Sequence, residues 1–138
     1  MSSHLTPGSA IETENAPRPS FNFSQGKVVG GLVQIAGQGG LAEDPSSATN
    51  SLAEQTVKAL ENVRAVLVAA GIGYEETLMV RVYLSHEADF TEMSAVYDEY
   101  MAKHCSVASF PCRTTVAASF PNPRMLIEID ALAVATEV

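Results

Sequence analysis

Residues 110–130 read FPCRTTVAASFPNPRMLIEID and are typical of two strands joined by a proline-rich turn. Proline presets turn geometry and cannot donate to a strand ladder, so Pro121-Asn122-Pro123 fits the connection. Side chains alternate between the two faces of a strand. One face of the second strand is apolar and consists of Met125, Ile127, Ile129 and Ala131. The other face is mixed and consists of Leu126, Glu128, Asp130, Leu132 and Val134. A solvated face would be polar throughout, so the mixed face predicts burial against a surface that contains a polar pocket.

Length and composition predict one domain with its own core, because the chain has 138 residues of which 46% are hydrophobic. No run of about 18 apolar residues indicates a membrane span. No basic segment followed by an apolar stretch marks a secretory signal at the N-terminus. Only two cysteines are present, which favours free thiols over a disulfide framework. These features together predict a cytoplasmic protein.

The charge balance is acidic, with 8 Lys and Arg residues against 16 Asp and Glu residues, or a net charge of −8. Nucleic-acid-binding proteins usually present a basic face to the phosphate backbone. The basic residues here are scattered singly along the chain. Nucleic acid is therefore an unlikely main partner, although a local basic pocket is compatible with this pattern.

The N-terminal residues 1–20 contain three prolines and little apolar content, and we expect a flexible arm there. A single domain is expected over residues 21–138. Gly30-Gly31 lies between two β-branched runs, which is a hairpin signal because glycine supplies the positive φ of the turn. Gly37-Gln-Gly39-Gly40 ends the second strand and indicates either a plain turn or backbone that a ligand can approach closely.

Two amphipathic helices are expected. Ser51 and Glu54 form a capping box at the start of the first helix, and Gly71 marks its end. Asp89 has cap spacing for the second helix. The apolar stripe of that helix, which we assign to the core, consists of Phe90, Met93, Val96, Tyr97, Tyr100 and Met101.

The resulting element order is ββαβαββ, which predicts an α+β fold with two helices on one face of a sheet. The opposite sheet face also carries apolar residues, and no further element remains to cover it. We therefore expect an oligomer in which sheets pack against each other.

Three side chains in the opening stretch are candidates for chemistry. Arg113 could form a structural ion pair, for example with Glu128, or could bind a small carboxylate through its planar guanidinium. Glu128 lies between two isoleucines, and a partly buried carboxylate is how proteins make a general acid or base. Cys112 beside Arg113 could be a nucleophile, but a buried inert thiol is the favoured interpretation. The histidines show no metal-ligand spacing.

From about Phe23 to Val134 the chain resembles the Rid family, also called the YjgF or L-PSP endoribonuclease family. The residues that carry the resemblance are Ser24-Gln25-Gly26, Ala36-Gly37-Gln38, Glu54-Gln55-Thr56, Leu60-Glu61-Asn62-Val63, Ala69-Ala70-Gly71, Val82-Tyr83-Leu84, Phe110-Pro111-x-Arg113 and Ile127-Glu128-Ile129.

This resemblance implies a chorismate-mutase-like fold, a homotrimer and sites in the clefts between subunits. It implies hydrolysis of 2-imino and enamine acids, such as 2-aminoacrylate, to 2-oxo acids and ammonia, without a metal or organic cofactor. By analogy, Arg113 would hold the substrate carboxylate and Glu128 would position or activate the attacking water. The backbone around Gly37 and residues near Cys112 would line the pocket.

The sequence departs from the family pattern at four neutral pocket positions. The usual tyrosine is Phe23, the usual serine is Ala36, and the usual asparagine on the second helix is Ser94. The small residue before Arg113 is Cys112. The pocket is therefore expected to be more apolar than is usual in the family, which predicts either a more hydrophobic imino acid as substrate or weak turnover.

Three functions remain open at the level of sequence: an imine deaminase, a trimer that binds small carboxylates or other metabolites without turnover, and an endoribonuclease. The deaminase is the function that the resemblance predicts, and the missing polar groups support the binding protein as its alternative. The net charge of −8 argues against the endoribonuclease.

Overall fold

The computed structural model describes residues 8–42, 44 and 50–135. The strands are β1 (Ser9–Ile11), β2 (Gly26–Val29), β3 (Leu32–Gly39), β4 (Thr77–Ser85), β5 (Cys112–Ala118) and β6 (Ile127–Val134). The helices are α1 (Leu52–Ala69) and α2 (Phe90–His104), with single 3-10 turns at Tyr74–Glu76 and Val107–Ser109. The predicted ββαβαββ order is confirmed, and one short strand, β1, precedes it.

The six strands form one sheet in the order β1-β2-β3-β6-β4-β5. Strands β4 and β5 are parallel and are connected through α2, whereas every other neighbouring pair is antiparallel. Strands β5 and β6 follow each other in the chain but do not pair, because β4 lies between them. This placement separates the two strands that carry Arg113 and Glu128.

Both helices begin where local sequence signals place them, and α1 also ends where predicted. The Ser51 hydroxyl accepts a hydrogen bond from the Glu54 backbone N–H, and Asp89 caps α2 through the Glu92 N–H in the same way. Helix α1 ends at Ala69, shortly before Gly71, whose φ of 82° is a left-handed conformation that suits glycine.

The core lies between the helices and one face of the sheet. Its fully buried sheet residues include Val33, Ile35, Val80, Val82, Ile127, Ile129 and Ala131. They share one hydrophobic cluster with helix residues such as Leu60, Val63, Val66, Leu67 and Met93. The predicted apolar face of β6 is thus the core face. No described element covers the opposite face, which we call the open face, and Leu32 and Val134 are exposed there.

The prediction of a flexible arm over residues 1–20 is wrong for the part that the structure describes, and residues 1–7 lie outside it. Strand β1 pairs with β2, and Ile11 and Ala16 are buried. The buried Gln25 amide holds this segment, since it donates to the carbonyls of Thr13, Ala16 and Pro17 and accepts from the Thr13 N–H. Side-chain hydrogen bonds therefore replace the apolar content that the segment lacks.

No described helix is long and apolar enough to cross a bilayer.

Candidate functional site

Arg113 lies on the helix-facing side of β5, where α2 fixes its guanidinium. Its Nη2 donates to Ser94 Oγ at 3.2 Å. The guanidinium carbon lies 4.8 Å from the centroid of the Tyr97 ring and 5.6 Å from that of Phe90. Phe90, Ser94 and Tyr97 are spaced by four and three residues on α2, so one helix stripe supplies all three contacts. The aromatic faces hold the cation without neutralising it.

A cleft of about 240 Å³ opens beside this guanidinium and is lined by Tyr97, Asp98, Met101, Phe110 and Arg113. Burial raises the pKa of Tyr97 to about 12, so its phenol stays neutral near pH 7. Among the described residues, no carboxylate lies within ion-pair distance of Arg113. The cleft therefore combines the apolar side chains of Met101 and Phe110 and the carboxylate of Asp98 with a guanidinium that has no ion-pair partner in the described chain.

Glu128 lies on the open face of β6, half-buried, beside the backbone of Gly37. A Cβ on Gly37 would lie only 2.8 Å from Glu128 Cδ, so the carboxylate occupies the space that the glycine leaves free. Burial, together with the negative charge of Asp130, raises the pKa of Glu128 above its ordinary value. Within the described ranges, no hydrogen bond or ion pair engages this carboxylate, so it is available to water or to a substrate.

A bulge in β3 brings Gly37 to this position. Ile35 pairs with Ala131 and Gln38 pairs with Ile129, so Ala36 and Gly37 together stand opposite Asp130. The Ala36 backbone N–H donates to the Gln25 carbonyl.

A second cleft of about 290 Å³ adjoins the bulge and is lined by residues 17–21, 23 and 37–39. Phe23, which is 57% exposed, lies in this cleft with Gly37. Arg18 supplies its cation. Phe23, Ala36, Gly37 and Glu128 therefore lie around the β3 bulge.

Arg113 and Glu128 do not converge within one chain. Arg113 pairs in register with Val80, and Glu128 pairs with Tyr83, three residues farther along β4. At about 3.3 Å per residue this offset is about 10 Å along the strand. Arg113 also points to the helix side and Glu128 to the open face. The interpretation of these two residues as an intrachain ion pair is therefore wrong. They lie in two separate candidate half-sites, one around Arg113 and one around Glu128.

Cys112 is exposed, so the expectation of a buried thiol is also wrong. It alternates with Arg113 and therefore lies on the open face, paired in register with Met79. Val116 is the β5 residue that pairs in register with Tyr83, and Tyr83 also pairs with Glu128. Cys112 lies four residues before Val116 on β5. Cys112 is thus on the same sheet face as Glu128 but remote from it.

Sequence reasoning missed five residues of these half-sites: Arg18, Phe90, Tyr97, Met101 and Phe110. The helix stripe was recognisable, but its periodicity alone indicates core. For the α2 residues among them, the available signal is Ser94 beside the stripe, because a partly buried hydroxyl there needs a polar neighbour. In the described part of the chain, no group of three or more His, Cys, Asp or Glu side chains is arranged to hold a metal ion.

The chain is similar to known proteins over most of its length. The family model described as Endoribonuclease L-PSP matches residues 13–135. A RutC family protein of Pyrococcus horikoshii is 38% identical over 126 residues, which cover 89% of this chain and 94% of that protein. The 2-iminobutanoate/2-iminopropanoate deaminase of Salmonella typhimurium is 31% identical over 124 residues, covering 90% and 95%. The crystal structure of Escherichia coli TdcF with bound serine superimposes with a TM-score of 0.81 at 27% identity and covers 93% of this chain and 99% of that chain.

Proposed function

Because this chain belongs to the endoribonuclease L-PSP family, also called the Rid family, we propose that it hydrolyses reactive 2-imino and enamine acids to 2-oxo acids and ammonia. One observation carries the proposal. The chain presents a cation and a carboxylate, Arg113 and Glu128, and neither has an ion-pair partner among the described residues. An unneutralised arginine suits a substrate carboxylate, and a carboxylate of raised pKa suits general acid–base work.

The complete site requires a second copy of the chain. Arg113 and Glu128 lie on opposite faces of the sheet, and the open face has no cover in the described chain. Packing between copies would bury apolar residues such as Leu32 and Val134 and could bring the Arg113 half-site of one copy against the Glu128 half-site of the next. We therefore propose a homotrimer with three sites between subunits.

In the proposed reaction, the guanidinium of Arg113 binds the substrate carboxylate through two parallel N–H donors. Glu128 accepts a proton from water as the water oxygen attacks the imine carbon, and the C=N bond becomes a C–N single bond. Glu128 gives this proton to the nitrogen, and the product is a carbinolamine. The proton of the carbinol hydroxyl then passes to the amino nitrogen, and ammonia leaves as the C–N bond breaks and the C=O bond forms. Atoms balance as one imino acid and one water giving one oxo acid and one ammonia. Arg113 and Glu128 are the charged protein groups in this scheme, and the scheme uses no cofactor.

The substrate side chain is proposed to be apolar. Met101 and Phe110 line the Arg113 cleft, and Phe23 lines the Gly37 cleft. An apolar wall gains from burying a hydrocarbon side chain and offers few partners to a buried hydroxyl or amide.

The test is to generate 2-imino acids with an amino-acid oxidase and to measure 2-oxo acid release with and without the protein. Release should accelerate in proportion to protein concentration. An unchanged rate across a panel of apolar and polar imines would refute the proposal.

A trimer that binds 2-oxo or imino acids without turnover is the second candidate. Phe23 and Ala36 favour it, because neither side chain offers a hydroxyl to a reacting group near Glu128. Calorimetric binding of a 2-oxo acid in the absence of accelerated hydrolysis would identify this function.

The family's older name suggests an endoribonuclease, which incubation of the protein with single-stranded RNA would test. The net charge of −8 predicts no cleavage.

A further inference from the structure

A three-residue polar network occupies the open face next to Glu128. Arg81 Nε donates to Asp130 Oδ1 at 2.6 Å, and the Tyr83 hydroxyl donates to Asp130 Oδ2 at 2.9 Å. Both donors come from β4, where Arg81 pairs in register with Asp130 and Tyr83 pairs with Glu128. The Tyr83 hydroxyl therefore reaches diagonally to Asp130 and does not engage its own register partner.

The two carboxylates on this face of β6 consequently occupy different environments. Asp130 accepts from a cation and a phenol, and its side chain is only 15% exposed. These two bonds fix the position of the Asp130 carboxylate on the open face. Glu128, two residues away on the same face, has no such donor in the described chain.

We propose that Arg81, Tyr83 and Asp130 are positioning residues that hold a fixed negative charge beside Glu128 and thereby set the pH range in which Glu128 acts on water. The inference rests on the proposed hydrolase function. The fixed charge acts in the same direction as burial, since both raise the pKa of Glu128. Arg81 limits the effect, because it neutralises part of the charge of Asp130.

In the described part of the chain, few other titratable groups face Glu128. Strand β3 presents Gly37 and Gly39 there, β4 presents Arg81 and Tyr83, and β6 presents Asp130. The 17–23 segment contributes Arg18 to the cleft that includes Gly37. In the proposed trimer, Arg113 of a second copy completes the set.

The variants Asp130→Asn and Arg81→Met each remove one charge of the network, so the effect of each charge can be measured by itself. Asparagine keeps the shape and removes the negative charge, so the pKa of Glu128 should fall. Methionine removes the counter-ion, so the negative charge of Asp130 should act more strongly and the pKa of Glu128 should rise. Charges about two residues apart on a partly exposed strand predict shifts of about half to one pH unit in each direction. Tyr83→Phe should shift the pKa in the same direction as Arg81→Met, by less.

The primary measurement is a ¹³C NMR titration of the glutamate carboxyl carbons in the intact assembly. The Glu128 signal is identified as the one missing from Glu128→Gln. The second measurement is the pH dependence of kcat/KM, whose acid limb should move down for Asp130→Asn and up for Arg81→Met. Lys27→Met is the matched control, because it removes a cation of β2 that makes no contact with Asp130, and it should move neither readout.

The proposed role of the network is supported if Asp130→Asn and Arg81→Met shift the Glu128 titration in opposite directions and shift the acid limb of kcat/KM in the same way. An unchanged Glu128 titration in both variants overturns it, whatever the activity. Shifted titrations with an unmoved acid limb overturn the claim that Glu128 is the group acting on water. Opposite titration shifts in a protein without hydrolase activity uphold the charge effect and refute the proposed function instead, so the two failures are distinguishable.

Discussion

Replacing Arg113 with alanine or lysine is expected to abolish or sharply reduce imine hydrolysis while the chain still folds. Arg113→Ala removes a cation that has no carboxylate partner in the described chain, so no buried carboxylate is left unpaired. The losses are one hydrogen bond to Ser94 and the stacking on Tyr97 and Phe90. Together these amount to about 1–2 kcal/mol of stability, or a few degrees in Tm.

The effect on the reaction should be larger than the effect on the fold. A hydrogen bond to a charged group contributes about 1.5–3 kcal/mol, which corresponds to about 10- to 150-fold in rate if the interaction is felt in the transition state. Arg113→Lys keeps the positive charge but loses the bidentate fork, so its loss should lie near the lower end of that range. Arg113→Ala loses both and should reach or exceed the upper end.

The assay is the rate of 2-oxo acid release per folded assembly, measured with thermal melts and light scattering for each variant. Arg64→Ala serves as the matched control, because Arg64 is an exposed arginine of α1 outside both half-sites, and it should retain activity. A purely structural role for Arg113 predicts a different result, in which activity falls only in proportion to folded protein. A fully folded Arg113→Ala with unchanged turnover would refute the carboxylate-binding role.

Two further properties and two further variants can be tested. The chain should form a homotrimer of about 44 kDa, three times the 14.6 kDa chain mass, and a monomer at micromolar concentration in light scattering would contradict this. Imines of leucine or methionine should turn over faster than the imine of a polar amino acid in a matched panel, and the reverse order would contradict the apolar cleft. Gly37→Ala should displace the Glu128 carboxylate and reduce hydrolysis by at least about tenfold, whereas Gly73→Ala, whose added Cβ meets nothing closer than 4.0 Å, should not. Gln25→Ala should increase amide exchange in β1 as the 13–17 segment detaches, and unchanged protection would show that the Gln25 amide does not hold it.

Several features of the fold follow from local sequence because their causes are local. The caps at Ser51 and Asp89 depend on residues three positions apart. The core face of β6 follows from alternation alone, since Ile127 and Ile129 are buried and Glu128 between them is not. The paired glycines at 30 and 31, with φ of 55° and 86°, form the predicted hairpin turn because only glycine adopts both angles readily. The resemblance to the Rid family was likewise carried by short motifs, and the match over residues 13–135 confirms it.

The order of the strands could not be predicted in this way. Strand β6 lies between β3 and β4, and its register with β3 joins residues about a hundred positions apart, such as Leu32 and Val134. The segment that follows β1 is held by hydrogen bonds from one buried glutamine, Gln25, which lies 8 to 12 residues farther along the chain than its partners, and a short polar segment gives no periodic signal for such a contact.

The relation between Arg113 and Glu128 was decided only by the tertiary structure. Alternation fixes which residues share a face within one strand. The sequence therefore determined that Arg113 and Cys112 lie on opposite faces of their strand, and that Glu128 and Ile127 lie on opposite faces of theirs. It does not fix which face of one strand corresponds to which face of another, because that depends on the register and position of each strand in the sheet. With β4 inserted between β5 and β6, the cation turns toward the helices and the carboxylate turns toward the open face. Two residues only 15 positions apart in the chain therefore belong to different half-sites.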